Sequence, residues 1–143
     1  KAEIGMLRAR QRGLTLMPLL GADTTVVYNG TIFGKPVDAV DARRMLKLLS
    51  GTTHEVLTGV AVTDGRQLLH DTSVSRVRFR DITDDEIDRY IATGEPTGKA
   101  GAYAIQGFGA VFVERLEGSY SGVMGLPIFE TAVLLSRFGI KPF

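Results

Sequence analysis

A chain of 143 residues with 44% hydrophobic content can build one core but would leave two separate units each marginal, so a single domain over residues 1–143 is expected. Lys plus Arg (17) nearly cancels Asp plus Glu (16), which provides no global field for nucleic acid or an anionic membrane; neither is an expected partner, and phosphate binding must be local. Cysteine is absent, excluding disulfides and thiolate metal sites and fitting a reducing cytoplasm; no apolar run approaches the ~20 residues of a membrane span, and Lys1-Ala2-Glu3 does not open a signal peptide.

In chain order, the apolar runs Leu16 to Leu20 and Thr24 to Tyr28 predict a strand kinked at Gly21, and Asn29-Gly30 predicts a tight turn into Thr31-Ile32-Phe33. Asp23 sits at the mouth of the second run, where a buried central strand has no packing use for an acid. It reads as a general base or as an oxygen ligand for magnesium or manganese, against the plainer reading of a turn aspartate. Lys35, between Gly34 and Pro36, is either a turn lysine or a cation over a ligand phosphate.

Asp38 or Asp41 can cap a helix over 39–49, with Ala42, Met45, Leu46 and Leu49 on one face and Gly51 as its stop. His54 to Val62 reads as a central strand and Asp64-Gly65 as the turn into its antiparallel partner. Arg76, Arg78 and Arg80 alternate with Val77 and Phe79. Such a basic face can read phosphate, but alternation alone produces it, so a solvated or acid-paired face is the preferred reading. Thr83-Asp84-Asp85-Glu86 has the form of a capping box, which assigns these acids to a helix start and not to a metal site.

The passage Gly98 to Gly109 is rich in small residues that let backbone approach a ligand, yet matches neither nucleotide-loop motif. Lys99 and Gln106 are its embedded polar residues. Gln106 either satisfies a sheet edge or reads a pyrimidine edge, since an amide offers both donor and acceptor. Ala110 to Leu116, the Glu117-Gly118-Ser119 turn and Tyr120 to Met124 read as a hairpin; Pro127 opens a last helix carrying Ile128, Ala132 and Leu135. His54 and His70 lack partners for a metal or triad signature and read as packing or surface residues. The serines lack a nucleophile elbow.

The ordered set Gly21-Ala22-Asp23-Thr24, Gly34-Lys35-Pro36, Thr58-Gly59-Val60, Gly94-Glu95-Pro96, Lys99-Ala100-Gly101-Ala102-Tyr103, Ile105-Gln106-Gly107 and Gly125-Leu126-Pro127 resembles the Maf family of nucleoside triphosphate pyrophosphatases along essentially the whole chain. The resemblance implies an α/β fold of the inosine triphosphate pyrophosphatase type, an elongated mixed sheet flanked by helices, usually in a homodimer. It implies Asp23 as proton acceptor, a divalent cation (magnesium or manganese), and Lys1 and Lys35 beside the triphosphate; Asp23 as metal ligand and Lys99 as a further substrate-binding residue are expected from their own placement. Thr24 and Gln106 fall where the family chooses its base, and Gln106 resembles the branch acting on dTTP and UTP more than the 7-methylguanosine triphosphate branch. The family's opening strand and S-x-S-P-R-R phosphate loop have no counterpart before Lys1. The implied reaction is hydrolysis between the α- and β-phosphates to a monophosphate and pyrophosphate. A second reading, a nucleotide-binding regulator of septum formation, stays open.

Overall fold

The computed structural model describes residues 1–15, 17–141 and 143. Asn29 and Gly30, both in the left-handed region (φ 48° and 73°), turn strand β1 (Leu19–Tyr28) back onto β2 (Thr31–Phe33), so that Val26, Val27 and Tyr28 lie opposite Phe33, Ile32 and Thr31. The expected beginning of this strand at Leu16 lies outside the described residues. Gly21 does not kink β1. It pairs in register with Ala61, and a Cβ there would lie 2.9 Å from the backbone nitrogen of Ala2, so the missing side chain admits helix α1 (Ala2–Gln11). That helix is not foreseen in the sequence: it buries only Ala2 and Met6, too few positions for an apolar stripe.

Helix α2 (Ala39–Leu49) follows the expected bounds, and Asp38, not Asp41, caps it by accepting the Asp41 N–H at 2.8 Å. Strands β3 (Thr53–Thr63) and β4 (Leu68–Phe79) form a long hairpin around Asp64-Gly65, where the Asp64 carboxylate accepts from the Arg66 and Gln67 N–H groups. Helix α3 (Asp84–Ala92) begins with the full Thr83/Glu86 capping box. Asp84 and Asp88 also pair with Arg43 of α2, a contact across helices that the capping assignment does not foresee.

After short 3₁₀ turns at Ala100–Ala102 and Phe108–Phe112, β5 (Val113–Glu117) completes a sheet of order β2-β1-β3-β4-β5. The α/β class and the flanking helices are as the resemblance implies, but all strand pairings among the described residues are antiparallel, where a mixed sheet was expected. Tyr120 to Met124 also departs from expectation: it is helix α4 (Tyr120–Met124), not a hairpin strand. Ser119 accepts the Gly122 N–H at 2.9 Å as N-cap and Gly125 (φ 116°) ends the turn, so local capping overrides the β-compatible Tyr and Val. Helix α5 (Ile128–Ser136) follows Pro127 as expected, although Thr131 and Leu134 face inward and Ile128 is exposed.

One face of the sheet is covered along its length. Val26, Val56, Val77 and Phe79 pack under α2 and α3 with Leu46, Leu49 and Ile87, while Val60 and Val62 meet Leu134 of α5 at the other end. Between these apolar clusters the buried side chains are polar: Thr58, Ser73 and Ser75, under α4. No helix among the described residues is long and apolar enough to cross a membrane.

Candidate active site

Alternation along β1 sends Asp23 and Thr24 to opposite sides of the sheet. Asp23 lies mid-strand, opposite Gly59, and not at a strand mouth; its side chain is 74% exposed. Lys1, at the N-terminal end of α1, donates from Nζ to Asp23 Oδ1 at 2.5 Å and to the Ala22 carbonyl at 3.2 Å. That hydrogen bond, aided by the Lys1 charge, the Thr24 N–H and the Lys35 charge, outweighs the opposing effect of burial and holds the Asp23 carboxyl below the usual range. Asp23 is therefore ionised at neutral pH.

Thr24 turns the other way, toward the covered face. Its Oγ1 is 2.8 Å from Thr58 Oγ1, which lies 2.7 Å from the Gly122 carbonyl oxygen of α4. Thr24 and Asp23 both border a cleft of about 230 Å³ whose far wall is the glycine-rich passage, with Lys99, Tyr103 and Gln106, and whose end is Gly125. A contiguous cavity of about 460 Å³ continues over Thr25, Gly34 and Leu57, with Asp23, Thr24 and Lys35 common to both. The expected residues Asp23, Thr24, Lys35, Lys99 and Gln106 thus meet at one cleft, and Lys1 reaches it through Asp23 from the α1 side.

Backbone contacts hold the far wall. The Gly101 N–H donates to the Gly34 carbonyl at 3.0 Å, tying the passage to the Lys35 loop. Gly101 (φ 68°) lies so close to β1 that a Cβ would come 2.9 Å from Val26 Cγ2. Further along, the Glu95 carboxylate accepts from Tyr90 Oη (2.8 Å), the Phe108 N–H (2.8 Å) and the Gly109 N–H (2.9 Å). Burial raises the pKa of this acid, and the two N–H groups, Tyr90 and the Lys99 charge more than reverse it, leaving it below the usual value. Beneath the wall His54 Nε2 is 3.0 Å from Tyr103 Oη, and burial alone pushes the His54 pKa down to about 4.

Glu95, His54 and Thr58 carry no role in the sequence reading. For Glu95 a signal existed: an acid between Gly94 and Pro96, just ahead of a glycine-rich stretch whose N–H groups need an acceptor. The basic residues of β4 and the one just past its end prove acid-paired, as preferred: Arg76 with Glu55, Arg78 with Glu114 (3.1 Å), and Arg80, after the strand, with Glu86 (2.8 Å). His54 is a packing residue and His70 is exposed.

Among the described residues no three His, Asp or Glu side chains converge on a point. Among the described residues the cleft lining offers one exposed carboxylate, Asp23, an oxygen donor of the kind a hard cation takes together with phosphate and water oxygens.

An α/β sheet with one open carboxylate, ringed by lysines and walled by backbone, defines an α/β protein with a cationic ligand cleft. The family described as Maf-like protein matches residues 1–138, and the chain belongs to it. It is 58% identical over 141 residues to a protein of Chromobacterium violaceum named dTTP/UTP pyrophosphatase, covering 99% of this chain and 71% of that one. Proteins of the same name from Aromatoleum aromaticum (58% over 139 residues; 97% and 68% covered) and Cupriavidus metallidurans (56% over 140 residues; 98% and 70% covered) are similarly related.

Proposed function

We propose that this chain hydrolyses dTTP and UTP between the α- and β-phosphates, giving the nucleoside monophosphate and pyrophosphate. The observation that carries the reading is the meeting of Asp23, Thr24, Lys35, Lys99 and Gln106 at one cleft in a chain so similar to dTTP/UTP pyrophosphatases. In it, the base lies toward Thr24 and Gln106 and the phosphates toward Lys35, Lys99 and Asp23.

Asp23 takes the proton of the attacking water, the bridging oxygen leaves with the β-phosphate, and lysine ammonium groups stabilise the charge gathering on the phosphoryl oxygens. Lys1 has a second part. While it is bonded to Asp23 it depresses the carboxyl's basicity. A triphosphate arriving beside it competes for the same ammonium, and Asp23 becomes a stronger base as the substrate binds. A divalent magnesium or manganese ion fits Asp23 together with phosphate oxygens, and would supply further charge neutralisation.

The test is pyrophosphate release across a panel of nucleoside triphosphates with magnesium or manganese present. Turnover of dTTP and UTP above the purine nucleotides is expected. Absence of pyrophosphate from both pyrimidines, with folded protein, overturns the proposal.

A further inference from the structure

The base side of the cleft ends in two oxygen–oxygen contacts in series: Thr24 Oγ1 to Thr58 Oγ1 at 2.8 Å, and Thr58 Oγ1 to the Gly122 carbonyl oxygen at 2.7 Å. Two oxygens at such distances need a hydrogen between them. Each threonine hydroxyl supplies one hydrogen and the carbonyl none. A single assignment fills both contacts: Thr58 donates to Gly122, and Thr24 donates to Thr58.

The buried end of this chain is fixed. Thr58 is 1% exposed, so bulk water does not compete for its hydroxyl. The Gly122 carbonyl also accepts the Gly125 N–H at 3.0 Å, and the Gly122 N–H is held by the Ser119 cap, so the acceptor cannot swing away without unwinding α4. The order of donation therefore runs inward from the cleft, and Thr24, with its only hydrogen committed, turns nothing but lone pairs toward a ligand.

We infer that Thr58 is a positioning residue that makes Thr24 an obligate acceptor, so that the cleft selects pyrimidines carrying a ring N3–H over those whose N3 is a bare acceptor. Uracil and thymine have that hydrogen and cytosine does not. The inference rests on the proposed dTTP/UTP reading and adds to it a polarity that Gln106 cannot supply: a terminal amide presents a donor and an acceptor and can rotate to suit either base. The Thr24 hydroxyl cannot rotate without breaking its contact to Thr58.

The experiment is calorimetric binding of the non-hydrolysable α,β-imido analogues of UTP and CTP, with magnesium, to the wild type, Thr58→Val and Thr58→Ser. Thr58→Val keeps the shape, leaves the Gly122 carbonyl its bond from Gly125, and frees the Thr24 hydrogen to turn outward. The preference for the UTP analogue should fall about tenfold or more in Thr58→Val and persist in Thr58→Ser. A merely structural role would weaken both analogues alike, and an unchanged ratio in folded Thr58→Val overturns the inference. An arm independent of any variant uses the wild type with the N3-methyl form of the UTP analogue, which should bind about tenfold or more weaker than its parent; equal binding overturns the inference. Equal wild-type binding of the UTP and CTP analogues overturns it too while leaving pyrophosphate release standing. Binding of neither overturns the dTTP/UTP reading and the inference together.

Discussion

Asp23 and Thr24 are successive residues of one strand, and the cleft treats them oppositely. Asp23 stands 74% exposed with a lysine as its partner. Its charge state and basicity answer to whatever else approaches that lysine, and to salt. Thr24 instead enters a relay that ends on a buried hydroxyl and a capped helix, where polarity is settled before any ligand arrives. Adjacency in sequence thus separates an adjustable electrostatic side from a preset hydrogen-bonding side.

The largest expected effect is on the adjustable side. Asp23→Asn keeps the shape but removes the proton acceptor, and kcat for pyrophosphate release should fall by ~10²–10⁴-fold with the urea midpoint unchanged. Retained turnover would remove Asp23 from the mechanism. On the preset side, Glu95→Gln replaces one of the two accepting oxygens by an amide donor, which then faces either the Phe108 N–H or the Gly109 N–H and Tyr90 hydroxyl; a stability loss of about 2 kcal/mol is expected from urea unfolding, with a raised KM. A full-strength KM and midpoint would mean that the wall holds without the clamp.

A pH series separates the sides further. Burial depresses the His54 pKa from 6.5 to about 4, so between those values the folded protein binds fewer protons than the unfolded chain. Its contribution is complete above pH 6.5 and is lost as pH falls toward 4, on the order of 3 kcal/mol in all. Denaturant midpoints at pH 7 and pH 4.5 should show this loss, and His54→Phe should flatten it. The smallest effect belongs to the exposed pairs of β4: Arg78→Ala should change stability by no more than ~1 kcal/mol, and substrate KM not at all. A KM shift there would revive the phosphate-reading role of the basic face.

What the sequence makes legible follows the same division. Asp38, the Thr83/Glu86 box and Asn29-Gly30 act through neighbours a few positions away, so α2, α3 and the β1–β2 turn can be read directly. Asp23, Lys35 and Gln106 are visible as polar residues in small or apolar surroundings. Thr58 is not, because its meaning lies in the Gly122 carbonyl far along the chain; Glu95 shows as an acid between Gly94 and Pro96, but its particular partners, the Phe108 and Gly109 N–H groups, do not. Tyr120 to Met124 misleads for a related reason, since β-compatible side chains say strand where the Ser119 cap and Gly125 decide for helix.

The Glu95 clamp has a thermodynamic consequence. With Tyr90, Phe108 and Gly109 tied to one carboxylate and Gly101 tied to Gly34, the wall carrying Gln106 is ordered before a nucleotide enters. Binding then loses little backbone entropy, and the ordering cost falls on the long exposed side chains of Lys1, Lys35 and Lys99, up to about 2 kcal/mol for each one fully immobilised. Affinity on the base side is thus a matter of fit, and affinity on the phosphate side a contest between charge and disorder.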